Sequence, residues 1–405
     1  MDIGNDYFQK LFKSFVKVDV VNGKVKVITN IHVVLENGII WDGFITIEND
    51  KIAGFGKSMD LEIPEGAEIV DGEGAYVGPG FVDIHVHAAG NLRTYIELKE
   101  TSDFFLRYGS TTILATPYYS MNKEEFVEAL AAIKKNIAES KTVKGIYFEG
   151  PYTSPQYGSN SWMNPWNCPI SEDDYKDLVD EAGDFAKVWT IAPEREGIHE
   201  FIEYARKVNP DVVLAVGHSE ATPEQVRSLG AKYRPGLMTH TFNATGRQTG
   251  SGGIRGYGPD EYCLANRDMY AELISDSCGM HVHSDLQRML IKAKGYERVV
   301  LVTDCAEPDA GTPEEYSGIT DLNFDSHGDL SGSKMTMNQA CKNIMQHTNC
   351  GIAQAFVMAS LNPARVIGMD DEIGSIEIGK MADLVFVEDK FNVKQVMLGG
   401  IVCEF

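Results

Sequence analysis

The stretch PGFVDIHVHAAG, residues 79–90, places His85 and His87 two positions apart at the end of an apolar, β-branched run. Side chains alternate along a strand, so both imidazoles leave the same face. Two imidazoles converging on one point suit a borderline metal ion, although satisfied structural histidines make the same pattern. The company these two keep further along the chain decides between the readings.

Similar apolar runs occur at 76–87, 111–117, 145–149, 188–193, 212–218, 237–242, 271–276 and 299–304. Between most of them lie amphipathic stretches, clearest at 123–140, where Phe126, Leu130, Ile133 and Ile137 follow three- and four-residue steps. Eight strands alternating with helices predict an α/β fold of the (β/α)8 TIM-barrel type, and counting alone leaves a doubly wound sheet open as the alternative. The third run ends at Glu149, the fifth at His218 in AVGHS, the sixth carries His240 in LMTHTFNA, and the eighth ends at Asp304 in LVTDCAE. Each alone has a structural reading: His218 and Asp304 as helix caps, Glu149 as a lysine's partner. Barrel enzymes build their sites from the C-terminal ends of their strands, so together these residues predict one metal site over the barrel mouth.

The flanks differ from this middle. From Val27 to about Gly74, short alternating segments are broken by Asn-Gly, Asn-Asp-Lys and Asp-Gly turns, and the last thirty residues repeat the style. The two ends predict a small β-sandwich domain assembled from both termini, dividing the chain into residues 1–75, 76–372 and 373–405. The glycine-rich loop GRQTGSGGIRGYG, residues 246–258, reads as either a surface loop or a substrate lid.

Composition narrows the partners. Thirty-six Lys and Arg stand against 59 Asp and Glu, a formal charge of −23 over 405 residues. Phosphate backbones are bound through Lys and Arg, so this balance argues against nucleic acid and for a small molecule. No apolar run approaches the roughly 18 residues of a membrane span, and the amino-terminal stretch lacks the order of a secretory signal. Seven scattered cysteines without a C-x-x-C pair fit reduced thiols and a cytoplasmic protein.

The motifs PGFVDIHVHAAG, FEGPYTSP, VGHSEA, THTFNA, GMHVH, LVTDCAEP, LSGSKMTM, LNPARVIG and GSIEIGKMADLVFV, in that order, resemble the N-acetylglucosamine-6-phosphate deacetylases of the amidohydrolase superfamily. The resemblance runs from about Val27 to the C-terminus. It implies the barrel with its small β domain, usually a homodimer, and one or two divalent metal ions, with Zn, Fe, Ni and Mn all compatible with the ligand types. Glu149, His218 and His240 match the principal metal ligands. His85 and His87 match the pair that completes a second site, so a dinuclear centre bridged by Glu149 is open. Asp304 matches the catalytic aspartate and belongs with the metal-binding set. A bound metal lowers the pKa of its water from 15.7 towards about 7; Asp304 would take the water's proton and later pass it to the leaving amine.

For the substrate, an amino-sugar phosphate, the resemblance implies Asn243, Ala244, Arg247 and His281 as binding residues, with Arg247 suited to a phosphate by its planar fork. The loop from His240 to Arg247 looks shorter than in better-known members, and Arg255 could substitute. Asn160 stands where the family commonly has a histidine holding the acetamido carbonyl; it donates a hydrogen bond without a positive charge. Trp162 and Trp166 read either as core or as a wall for stacking a sugar. The leading expectation is release of acetate from N-acetylglucosamine 6-phosphate. The alternatives are an amidohydrolase of the same fold acting on another N-acyl or cyclic amide, and a catalytically silent barrel scaffold.

Overall fold

The computed structural model describes residues 25–159, 164–246 and 256–405. Eight parallel strands follow one another around a ring: Phe81–Val86, Ser110–Ala115, Val143–Phe148, Ala186–Ile191, Val213–Val216, Leu237–Met238, Tyr270–Leu273 and Val299–Leu301. The ring closes where the first strand meets the chain leaving the eighth: the Asp304 N–H donates to the His85 carbonyl (3.0 Å) and the His87 N–H to the Cys305 carbonyl (2.9 Å). This is the expected (β/α)8 barrel, and closure removes the doubly wound alternative.

Alternation sorts the side chains into layers. Ile146 and Phe148 join a cluster with Phe126, Leu130, Trp189 and Phe201, where helices cover the sheet. Tyr147, between them, packs instead with Val188, Ala215, Leu237 and Val300. The helix Lys123–Asn136 shows how a crossover is specified. Asn122 accepts from the Glu125 N–H (3.0 Å) while the Glu125 carboxylate accepts from the Asn122 N–H (2.9 Å), a reciprocal cap, and Phe126, Ala129, Leu130 and Ile133 form the buried stripe. The helix ends at Asn136, and Ile137 starts a 3-10 turn in which it is half-buried.

The apolar run at 76–87 is two strands rather than one. Glu68–Pro79 belongs to the terminal sheet and pairs with Leu384–Val387, whereas Phe81–Val86 opens the barrel. Gly80 is the crossing point; a Cβ there would stand 2.1 Å from Thr111 Oγ1, so only glycine lets the backbone pass. The terminal sheet has seven strands, with Val25–Leu35, Gly38–Glu48 and Lys51–Lys57 from one end and Leu384–Val387, Val393–Leu398 and Ile401–Val402 from the other. It folds back on itself: Ile52 N–H reaches the Lys380 carbonyl (2.9 Å) and Ala382 N–H the Asp50 carbonyl (2.7 Å). Ile28, Val33, Ile45, Val77, Leu384 and Phe386 fill the interior so enclosed.

Candidate metal centre

The six residues that the strand ends predict as ligands converge at one end of the barrel. His85 and His87 close the first strand; Glu149 follows the third; His218, His240 and Asp304 lie two or three residues beyond the fifth, sixth and eighth. All six are between 0% and 6% exposed. His218, His240 and Asp304 adopt left-handed backbone conformations, with φ of 44°, 21° and 47°. Each such residue costs about 1–3 kcal/mol and persists only where its surroundings enforce it. The strain coincides with the points where three strands end and present a polar side chain inward.

Glu149 is the hub. Its Oε1 lies 2.7 Å from His218 Nε2 and 3.0 Å from His240 Nε2, and these two ring nitrogens are 2.9 Å apart. Its Oε2 lies 3.2 Å from His87 Nε2, which is 3.3 Å from Asp304 Oδ1. His85 Nε2 stands 3.5 Å from both Glu149 Oε1 and Asp304 Oδ1, without a properly formed hydrogen bond to either. The result is two overlapping donor groups, Glu149–His218–His240 and His85–His87–Glu149–Asp304, sharing one carboxylate. Nitrogens crowded against each other and a buried orphan Nε2 are what cations at the two foci would satisfy. Mixed imidazole and carboxylate donors suit Zn, Fe, Ni or Mn.

The electrostatics agree. Burial works to strip the His85 ring of its proton, but the Asp304 and Glu149 carboxylates outweigh burial and hold it well above the ordinary imidazole value. Burial likewise pushes the Glu149 and Asp304 carboxyls up; His218 and His85 hold Glu149 well below its usual range, and His85 and His87 hold Asp304 below its own. Both carboxylates are therefore kept ionised in a site that attracts positive charge.

Neighbouring side chains aim the ligands. Tyr147 stacks on His85 at 4.4 Å between centroids and Tyr118 on His87 at 4.6 Å. His218 Nδ1 faces the Tyr157 carbonyl (3.2 Å) and His240 Nδ1 that of Asn243 (3.2 Å), which leaves each Nε2 for the centre. Gly158 passes so close that a Cβ would stand 2.7 Å from His218 Nδ1.

A cavity of about 470 Å³ opens above the ligands, with Arg93, Tyr118, Tyr119, Asn243, Ala244 and Ser331 on its described walls. Asn243 donates its backbone N–H to the His240 carbonyl (2.9 Å) and its Nδ2–H to the His281 carbonyl (3.4 Å). His281 does not line the cavity: its Nδ1 faces Asp276 Oδ2 (3.0 Å) and its Nε2 the carbonyl of Gly332 (3.0 Å), a residue that does. Trp166 is core, donating Nε1–H to the Met121 carbonyl (2.8 Å) and packing edge-on against Tyr152 and Phe126. Asn160, Trp162, Arg247 and Arg255 lie outside the described residues.

Three residues near the centre escaped the reading from sequence. Tyr118 and Tyr119 sit in ATPYYS just past the second strand, where two adjacent aromatics at a strand end were a usable signal. Glu272 lies inside the seventh strand, and its signal was a carboxylate between Ala271 and Leu273, ahead of the end of the run.

Residues 76–402 match the amidohydrolase family. The chain is 28% identical over 388 residues to the N-acetylglucosamine-6-phosphate deacetylase of Bacillus subtilis, covering 90% of this chain and 94% of that one. It is 29% identical over 351 residues to the N-acetylgalactosamine-6-phosphate deacetylase of Escherichia coli O157:H7, covering 81% and 87%. The crystal structure of N-acetylglucosamine-6-phosphate deacetylase from Pasteurella multocida superposes with a TM-score of 0.81 at 24% identity, covering 94% of this chain and all of that one, a likeness of fold.

Proposed function

The chain belongs to the amidohydrolase family, and from that premise we propose that it hydrolyses the N-acetyl amide of an amino-sugar phosphate, converting N-acetylglucosamine 6-phosphate to glucosamine 6-phosphate and acetate. The observation that carries the reading is Asp304 on the cavity wall, as a member of one of two donor groups joined through Glu149. Similarity to named deacetylases over most of the chain supports the substrate class.

In this reading Glu149, His218 and His240 would hold one divalent ion, and His85 and His87, with Glu149 and Asp304, would hold a second. A bound ion would polarise the amide carbonyl and lower the pKa of the attacking water towards about 7. Asp304, kept ionised by the neighbouring imidazoles, takes a proton from the water whose oxygen adds to the amide carbonyl carbon. It then delivers the proton to the nitrogen of the breaking C–N bond, because an amine leaves far more readily protonated. Asn243 and Ala244 meet the sugar on the cavity wall, with Asn160 and Arg247 as further contacts. His281, whose Nε2 faces the carbonyl of the cavity residue Gly332, stands behind this wall, and the reading keeps it as a further substrate contact.

The reading extends to a homodimer in the cytoplasm. Seven free cysteines support a reducing compartment, and among the described residues no helix is long and apolar enough to cross a membrane.

The deciding experiment measures acetate release by metal-reconstituted protein from N-acetylglucosamine 6-phosphate, its unphosphorylated form and N-acetylgalactosamine 6-phosphate. The expected order puts the first ahead of the other two. A preference for the galactose epimer moves the assignment to the second relative's substrate; equal rates with and without phosphate overturn the anion site; no release from any of the three overturns the deacetylase reading.

A further inference from the structure

Glu272 lies in the seventh barrel strand between Ala271 and Leu273, both packed in an outer hydrophobic cluster, so alternation turns its side chain towards the barrel interior. It is fully buried, and among the described residues no Lys or Arg pairs with it. A carboxylate in such surroundings opposes folding unless something compensates for its lost hydration. Among the described residues its Oε2 has two polar contacts, at 3.4 Å to His85 Nδ1 and 3.1 Å to the backbone N–H of His240, and its Oε1 has none.

The two contacts fall on different donor groups of the metal centre. At His85, Nδ1 faces the carboxylate, which leaves Nε2 turned to the centre, while Tyr147 fixes the plane of the ring from one face. At His240, the carboxylate holds the N–H of a residue whose φ of 21° is strained. The Glu272 main chain reinforces this hold, its carbonyl accepting from the Thr241 N–H at 2.9 Å. The sixth strand is only two residues long, so little else in the sheet fixes where His240 begins.

We propose that Glu272 is a positioning residue for the metal centre: one carboxylate oxygen sets both the ring of His85 and the backbone of His240, and so fixes the spacing of the two donor groups about Glu149. Its Oε1, buried and without a partner among the described residues, weighs against the metal-free fold. Glu272 thus serves loading of the centre at the expense of the empty protein. The inference rests on the metal-binding part of the proposed function and not on the identity of the acyl substrate.

The test is zinc binding by the full chain, followed by equilibrium dialysis against a competing chelator, with thermal unfolding of the metal-free protein measured alongside. Glu272→Gln keeps an acceptor of the same shape and is expected to bind zinc within about threefold of the parent. Glu272→Met fills the same volume without an acceptor and is expected to lose about 10–100-fold in zinc affinity, with a metal-free midpoint close to the parent's, because losing the unpartnered Oε1 offsets leaving the His240 N–H without its acceptor. Unchanged zinc affinity in Glu272→Met overturns the proposal. So does an equal loss in Glu272→Gln, or a metal-free Glu272→Met protein that melts well below the parent, which would make Glu272 an ordinary part of the fold. Failure to release acetate would sink the substrate reading and leave these outcomes intact.

Discussion

Glu149 presents its Oε2 to His87 Nε2 at 3.2 Å, while its other oxygen meets His218. A single carboxylate therefore belongs to both donor groups, and the groups depend on it unequally from their histidines. The parent protein is expected to hold two zinc ions per chain at saturation. His87→Ala should hold one, and Glu149→Ala should hold neither tightly. Metal-to-protein ratios by elemental analysis after dialysis check this; two tightly held ions in His87→Ala would remove His87 from the ligand set.

Asp304 touches both imidazoles of the first strand, through the contacts of its Oδ1 with His85 and His87 at 3.5 and 3.3 Å. Asp304→Asn keeps the side chain's shape and removes its capacity to take a proton. Turnover of N-acetylglucosamine 6-phosphate is expected to fall by about 10²–10⁴-fold, the usual worth of a general acid–base group, with the zinc content retained and KM little changed. Near-parental turnover would take the proton-transfer role away from Asp304.

Gly158 has φ of 109° and no room for a Cβ, which would stand 2.7 Å from His218 Nδ1 and 2.8 Å from the Tyr119 hydroxyl. Gly158→Ala should cost about 1–3 kcal/mol in stability and also weaken zinc binding by displacing the His218 ring. Gly90→Ala makes the comparison, because Gly90 has φ of 60° and nothing within 4 Å of its would-be Cβ. Thermal unfolding should show both variants destabilised, and zinc titration should show Gly158→Ala alone impaired. Equal zinc affinity in the two would mean that the His218 ring moves aside freely.

The ligands were legible because each lies at or near the end of an apolar, β-branched run, where a His, Glu or Asp breaks a pattern that burial otherwise dictates. Glu272 was not, because it lies within a strand rather than at its end; what marks it is the third dimension, where the first and sixth strands bring His85 and His240 to the same oxygen. The split at Gly80 was hidden for a related reason: apolar residues continue across it, and only the close approach of Thr111 shows that two sheets share the run. The substrate wall was the least legible part. Its contacts come from loops whose course depends on packing, and His281 shows how a residue placed at the right strand end can turn its ring elsewhere.

Asp276 fixes that turn of His281. Its Oδ1 accepts from the N–H groups of Cys278 and Met280 at 3.0 Å each, and its Oδ2 from the His281 N–H at 2.9 Å as well as facing Nδ1. Burial pushes this carboxyl up, but the His281 ring and the two backbone N–H groups of Met280 and His281 outweigh it, bringing the value from 3.8 down to about 2. A folded-state value below the unfolded one stabilises the protein wherever the unfolded carboxyl is ionised. The contribution, about 2 kcal/mol, is complete above the unfolded value and is lost as pH falls from about 4 towards 2. Asp276→Asn should therefore be less stable than the parent by about 2 kcal/mol near neutral pH, with the gap narrowing in acid. Urea unfolding of both proteins near pH 7 and near pH 3 checks the sign. A gap of the same size at both pH values would assign the loss to the shape of the turn, and a gap that widened in acid would contradict the ionised carboxylate altogether.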